Sequence, residues 1–193
     1  DGADGSAECQ GSDPSLNTDY ITWRNQFANA TTDDACGIAT LSYTQGTWQT
    51  VDACTEQITV TVTATDDCGL TNSEDFTFTI YDTTPPVMID GADGTGECEG
   101  TDPSLNSEYI AWRDGFAGIN GTDLCGTSTL SFVEGPWTAP DVCTDLISVT
   151  FTATDDCGNA DSQVFTFTII DTTVPFIIDG ADGSAECQGP DPS

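Results

Sequence analysis

Four cysteines, Cys9, Cys36, Cys54 and Cys68, return 89 residues later as Cys98, Cys125, Cys143 and Cys157, and Cys187 opens a third set. Thiolates bind soft metals, act as nucleophiles or oxidise to disulfides. The spacing is not that of zinc ligands: no two cysteines form a CxxC pair, and the 193 residues contain no histidine. Four cysteines in a unit this small read as two disulfides per repeat, which places the chain in an extracellular or otherwise oxidising location. Four cysteines admit three pairings, and their spacing alone does not choose among them.

Carboxylates are the other abundant reactive group. Thirty-three acidic residues against two arginines give a net charge of −31. Such a surface repels nucleic acid and anionic lipid and attracts divalent cations. Where one repeat gives way to the next, Asp82, Asp90 and Asp93 gather with Glu97 nearby, and the set recurs as Asp171, Asp179, Asp182 and Glu186. Aspartate and backbone oxygens are natural calcium ligands, so these eight residues are the candidate calcium set; a shared ion would bridge two modules and cancel their repulsion. The DGADG spacing is not that of an EF-hand, and the plain alternative is a solvated Asp-Gly turn. Catalysis has little to draw on without histidine or lysine. The adjacent Asp66 and Asp67 sit in a turn, where aspartate is favoured for backbone reasons, so no enzyme is expected. Arg24 and Arg113, one period apart, are each expected to anchor a local carboxylate.

The elements that carry these groups repeat as well. Asp1, Asp90 and Asp179 open three copies of DGADG, and Trp23, Trp48 and Cys68 match Trp112, Trp137 and Cys157 without a gap. The chain divides into repeat 1–89, repeat 90–178 and the start of a third at 179–193, and reads as a window from a longer array. No run is long and apolar enough to suggest membrane insertion. Within a repeat, Ser6 to Gln10 is a short strand. Leu16, Tyr20, Trp23 and Phe27 then form an apolar stripe at helical spacing, with Asp13 as cap and Pro14 at the first helical position. Ile38 to Thr44 is a strand. From Ile58 to Thr65 apolar residues alternate with threonine, the pattern of a half-buried antiparallel strand. After a turn at residues 66–72, Phe76, Phe78 and Ile80 line the last strand, and DTTPP closes the unit. The pattern predicts a mainly β chain of sandwich modules, each with one short helical insertion.

VTFTATDDCGN followed by FTFTIIDTTVP resembles the end of hyalin-repeat-like modules, most closely the four-cysteine variety arrayed in giant secreted and cell-surface proteins of Bacteroidota-type bacteria. The further marks are Glu8-Cys9, Trp23, the loop Asp34 to Gly37, and Cys54. Two positions depart from that pattern: Leu70 stands where asparagine is usual after Gly69, and Val174 replaces the first linker proline. The resemblance implies tandem immunoglobulin-like β-sandwiches. In such a sandwich Cys36 and Cys68 lie at one end and Cys9 and Cys54 at the other, which implies Cys36–Cys68 and Cys9–Cys54, repeated as Cys125–Cys157 and Cys98–Cys143, with the partner of Cys187 beyond the chain. It also implies O-glycosylation candidates at Thr83 and Thr172, in Asp-Thr-Thr. The function implied is a structural module of a stiff extracellular stalk or filament whose partners are neighbouring copies of the repeat. The alternative is an adhesin binding glycan or protein through the loops that differ most between copies, residues 28–33 and 47–51, with 117–122 and 136–140.

Overall fold

The computed structural model describes residues 2–177. Repeat one runs β1 (Gly5–Glu8), α1 (Thr18–Asn25), β2 (Ala39–Gln45), β3 (Gln49–Asp52), β4 (Thr55–Asp66) and β5 (Thr71–Tyr81). The second runs β6 (Val87–Ile89), β7 (Gly94–Glu97), α2 (Ser107–Asp114), β8 (Asn120–Thr122), β9 (Ser128–Glu134), β10 (Thr138–Asp141), β11 (Thr144–Asp155) and β12 (Ala160–Ile170). The chain is mainly β, as its alternation predicts.

Each repeat is built on one five-stranded sheet. β4 and β5 form the long central hairpin, with Ile58 opposite Phe78. β1 adds to β5 in parallel, while β2 and β3 share the other edge of β4. The second repeat repeats this with β7, β12, β11, β9 and β10. Because β-strand side chains alternate faces, Ile58, Val60, Val62, Phe76, Phe78 and Ile80 all point inward onto Tyr20, Trp23 and Ala28 of the helical segment. That segment forms much of the second layer. In the second repeat β6 pairs with β8 beside it and buries Met88 in the second core, so that core recruits residues from ahead of its DGADG.

The helix begins later than its stripe predicts. Asp13 and Pro14 start only a 3-10 turn, Pro14–Leu16. Asn17 then caps α1, its side chain accepting from the Asp19 and Tyr20 amides. Leu16 therefore falls outside the packed face and is 68% exposed, while Tyr20 is fully buried. The helix ends in a left-handed turn, with Phe27, Ala28 and Asn29 at φ of 53°, 55° and 59°. This turn returns the chain so that the Ala28 carbonyl accepts from the Ala3 amide at 2.9 Å.

DGADG is a packing motif. A side chain at Gly5 would lie 2.5 Å from the Phe78 ring, and one at Gly94 would meet Phe167 in the same way. The Trp23 and Trp112 indoles donate to the carbonyls of Ala3 and Ala92. Asp4 and Asp93 accept from the Thr77 and Thr166 amides at 2.8 Å. Gly94→Ala is therefore expected to destabilise the second repeat by about 1–3 kcal/mol, the usual cost of overpacking a filled core. Denaturant unfolding should show the loss, and Gly100→Ala, where no atom is near, should show none.

Candidate functional site at the repeat junction

The leading end of the second repeat is assembled by two acidic loops. In the β11–β12 turn the Asp155 carboxylate accepts from the Cys157 and Asn159 amides, both at 2.8 Å, and Gly158 takes the positive φ of 85° that the turn needs. Asp156 reaches sideways to accept from the Thr127 amide and hydroxyl, at 3.1 and 2.8 Å. That ties the turn to the loop in which Asp123 accepts from the Cys125 amide at 2.8 Å. Cys125 and Cys157 are thereby presented side by side.

The trailing end of the first repeat offers the matching groups. Cys9 follows β1 and its amide donates to the Tyr81 carbonyl at 2.7 Å. Cys54 sits in the β3–β4 turn, its amide held by Asp52 and its carbonyl accepting from the Asp82 amide at 3.1 Å. The two ends are joined by disulfides Cys9–Cys125 and Cys54–Cys157, with Cα atoms 6.1 and 5.2 Å apart, inside the usual span for such a bridge. This corrects the pairings Cys9–Cys54, Cys36–Cys68 and Cys125–Cys157 within one repeat. Cys9 and Cys54 instead bond across the junction to Cys125 and Cys157 at the facing end of the second repeat. Cys36, Cys68, Cys98 and Cys143 carry no disulfide among the described residues, which also removes Cys98–Cys143. Cys187 lies outside the described residues.

Between the two disulfides lies a carboxylate cluster. One oxygen each from Asp82, Asp123 and Asp155 lie within 4.8 Å of one another. Burial pushes the Asp82 carboxyl above its ordinary value, and the negative charges of Asp123, Asp155 and Glu8 push it further, against one opposing hydrogen bond from the Thr84 amide. Burial acts the same way on Asp155, only 7% exposed, but hydrogen bonds from Asn159, Cys157 and Gly158 outweigh it and hold that carboxyl low. Asn159 also donates to the Asp82 carbonyl at 3.2 Å, a side-chain hydrogen bond across the junction.

Of the calcium set expected from sequence, only Asp82 belongs to this cluster among the described residues. Asp93 accepts from the amide of Thr166, inside β12, and Asp90 holds a turn at φ 69°. Glu97 clamps the end of its own repeat: its carboxylate accepts from the Thr172 amide and hydroxyl and the Thr173 hydroxyl, as Glu8 does with Thr83 and Thr84. Those bonds, led by the Thr172 hydroxyl, hold the Glu97 carboxyl below its ordinary value. Thr83 and Thr172, the glycosylation candidates, are exposed, but their hydroxyls are engaged by Glu8 and Glu97. Asp171 accepts from the Thr173 amide. Asp179, Asp182 and Glu186 lie outside the described residues. The two residues that sequence reasoning missed, Asp123 and Asp155, stand beside cysteines in both copies, and that adjacency was the available signal.

The arginines differ between repeats. Arg113 pairs with Asp114 and Glu134, both at 2.8 Å. Arg24 finds Gln45 in place of Glu134, at 3.1 Å, so it has no such pair among the described residues; each arginine also lies over two rings, Tyr20 and Tyr43 or Tyr109 and Phe132. The loops offered as adhesive surfaces are partly structural: Asn120–Thr122 is strand β8, and Thr138–Asp141 is strand β10.

No protein-family model and no curated protein matches the chain. Among solved structures, it resembles Drosophila N-cadherin EC1-4 with a TM-score of 0.37 and 13% identity, over 69% of this chain and 41% of that one. Mouse cadherin-23 EC22-24 gives 0.34 and 10%, over 69% and 54%. A SusE-like surface-located polysaccharide-binding protein of the Bacteroides thetaiotaomicron heparin utilisation locus gives 0.23 and 15%, over 68% and 29%. The chain thus spans about half or less of each of these proteins, and likenesses at such scores say nothing about what it binds. No helix among the described residues is long and apolar enough to cross a membrane.

Proposed function

We propose that this chain is a structural segment of a long extracellular surface protein, in which successive repeats are stapled into a stiff stalk. One observation carries the reading: two disulfides cross from the end face of the first repeat to the second, beside the peptide link itself. A single covalent link between domains leaves them free to swivel. Three links at separate points do not. The linker adds its own restraint, since Pro85 and Pro86 stiffen it. Two disulfides per junction also suit an oxidising, extracellular setting. The resemblance to hyalin-repeat-like modules agrees with this, as does the lack of any histidine or lysine for acid–base or covalent catalysis, so we assign no enzymatic role. Electron microscopy of arrays of increasing copy number tests it. Straight rods growing by ~4 nm per repeat, about the length of a 12-residue strand, are expected; beads on a flexible string would refute it.

Calcium belongs to the same proposal. Oxygens within 4.8 Å of one another fit a single ion whose ligands stand about 2.3–2.6 Å away. The three carboxylates have no cation beside them among the described residues. Asp82, Asp123 and Asp155 would hold the ion, which would supply the positive charge that this crowded junction lacks. Millimolar calcium is expected to raise the thermal midpoint of the chain, and Asp123→Asn is expected to abolish most of that rise while leaving the calcium-free midpoint unchanged or higher. An equal calcium response in both proteins would remove the ion from this site.

A further inference from the structure

The two bridges at the junction attach to different parts of the fold. Cys54 directly precedes β4, and Cys68 stands two residues past its end. Cys143 and Cys157 flank β11 in the same way. The Cys54–Cys157 bond therefore joins β4 to β11 end to end. Both strands are central in their sheets. β4 is held by β5 on one edge and by β2 and β3 on the other, and β11 by β12 and by β9 and β10. Ile58, Val60 and Val62 anchor the first in its core, and Ile147, Val149 and Phe151 the second. Cys9 and Cys125 lead elsewhere. From Cys9 to Cys36 the chain passes through α1 between 3-10 turns at Pro14–Leu16 and Phe27–Asn29. From Cys98 to Cys125 it passes through α2 between the turns Pro103–Leu105 and Phe116–Gly118, then β8. Length decides which path is taut. Cys54 and Cys68 are 14 residues apart, as are Cys143 and Cys157 (68 − 54 and 157 − 143). Pulled straight, such a segment reaches about 5 nm at most, and the strand inside it already spans about 4 nm. Cys9 and Cys36 are 27 residues apart, as are Cys98 and Cys125 (36 − 9 and 125 − 98). These segments cross the same repeat folded up, a helix rising only about 1.5 Å per residue, and reach about 9–10 nm when straight.

We infer that the stalk has a further, mechanical function divided between its bridges: Cys54–Cys157 carries tension along the line Cys68–β4–Cys54–Cys157–β11–Cys143, while Cys9–Cys125 stays slack. Load falls first on the path with the least length in reserve. Along β4 and β11 that reserve is about 1 nm per repeat, against about 5 nm along the path through Cys9–Cys125. Forced unfolding is governed by the unfolding rate, and a force raises that rate in proportion to the length that unfolding releases along it. A pull along strands that are already extended releases almost none, so the two sheets stay folded while the covalent line bears the load. Cys9 follows β1, which lies two strands from β4, about 1 nm to the side of that line. A bond there has the lever arm to oppose a swivel without taking up tension.

This inference rests on the array reading, but its test is separate. Single oxidised chains are pulled between DNA handles fixed to cysteine thiols that carry no disulfide among the described residues. One protein has Cys36→Ser, Cys98→Ser and Cys187→Ser, with handles on Cys68 and Cys143. The other has Cys68→Ser, Cys143→Ser and Cys187→Ser, with handles on Cys36 and Cys98. Mass analysis confirms Cys9–Cys125 and Cys54–Cys157 in both. Over one force range, the Cys68/Cys143 pair is expected to show no lengthening step above about 2 nm, and the Cys36/Cys98 pair to lengthen by about 10 nm as α1 and α2 unravel. Adding Cys54→Ser and Cys157→Ser to the first protein is expected to let its handles separate by roughly 15 nm more, since 75 residues then lie between them (143 − 68). Should that variant fail to fold, a small thiol added to the oxidised chain under tension cuts the bond in place and should release the same length. The same response from both handle pairs would overturn the inference, as would a Cys68/Cys143 step of several nanometres with both bridges intact. So would a chain without Cys54–Cys157 that lengthens no more than the oxidised one. Absence of both bridges from the unaltered chain would sink the array reading and this inference together, whereas the failures above leave the array reading standing.

Discussion

Exchange of Cys9, Cys54, Cys125 and Cys157 together for serine is expected to leave both cores folded and to free one repeat from the other. The four sulfurs lie at the junction, whereas each core closes on its own helix and hairpin. The bonds span 116 and 103 residues, and cross-links of about that length constrain the unfolded chain by roughly 4–5 kcal/mol each in the entropic account, less for the second once the first is present. The cross-linked pair of repeats, a unit of 150–250 residues, loses roughly 2–4 °C of thermal midpoint per kcal/mol, so a loss of about 5 kcal/mol corresponds to a fall of about 10–20 °C. Small-angle scattering should show the larger change, from one defined interparticle spacing to a broad distribution. Reduction of the unaltered chain should reproduce it. An unchanged scattering curve would mean that the linker and the carboxylate cluster orient the repeats without the disulfides.

Phe167→Ala is expected to have a comparable effect by a different route. Phe167 is 1% exposed, contacts the rings of Tyr109 and Trp112 at 5.5 and 5.3 Å between centroids, and packs against Gly94. Truncating a buried phenylalanine costs about 3–5 kcal/mol through lost transfer energy and the cavity left behind. The second repeat should then unfold in a separate, earlier transition, with the first retaining its own. Because β12 also carries one arm of the turn that presents Cys157, formation of the Cys54–Cys157 bond on refolding should slow. Val164→Ala, on the same strand but 61% exposed, is the control and should cost under 1 kcal/mol. A single undisturbed transition in the Phe167 variant would contradict the packing described here.

Strict alternation from Ile58 to Thr65 and the repeat of Phe76, Phe78 and Ile80 made the central hairpin legible before any coordinates, because strand burial follows a period of two. The helix was legible in kind but not in phase. Asp13 and Pro14 read as the start, and a short chain segment cannot reveal that they yield one 3-10 turn and that Asn17 caps the helix. The cysteines teach the most. Their grouping by ends, Cys36 with Cys68 and Cys9 with Cys54, is what the resemblance implies, and the two bonds join Cys9 and Cys54 to the second repeat's Cys125 and Cys157. Pairing within each group treats a repeat as an isolated domain. In a tandem array one end of every repeat faces the opposite end of the next, and a period of 89 cannot distinguish a partner in the same copy from one in the next. Asp82 was read correctly as a junction residue, but Asp90, Asp93 and Glu97 are near it in sequence only. Asp93 and Glu97 bond within their own repeat, while Asp123 and Asp155 lie 41 and 73 residues beyond Asp82 (123 − 82 and 155 − 82).

Disulfide mapping tests the central claim most directly. The unreduced chain is alkylated and unfolded in acid, then cut after acidic residues, and the linked peptides are identified by mass. Peptides holding Cys9 and Cys125 joined, and Cys54 and Cys157 joined, are the predicted result. Cys9 joined to Cys54, with Cys125 joined to Cys157, would confine the bonds to single repeats and contradict the stapled stalk.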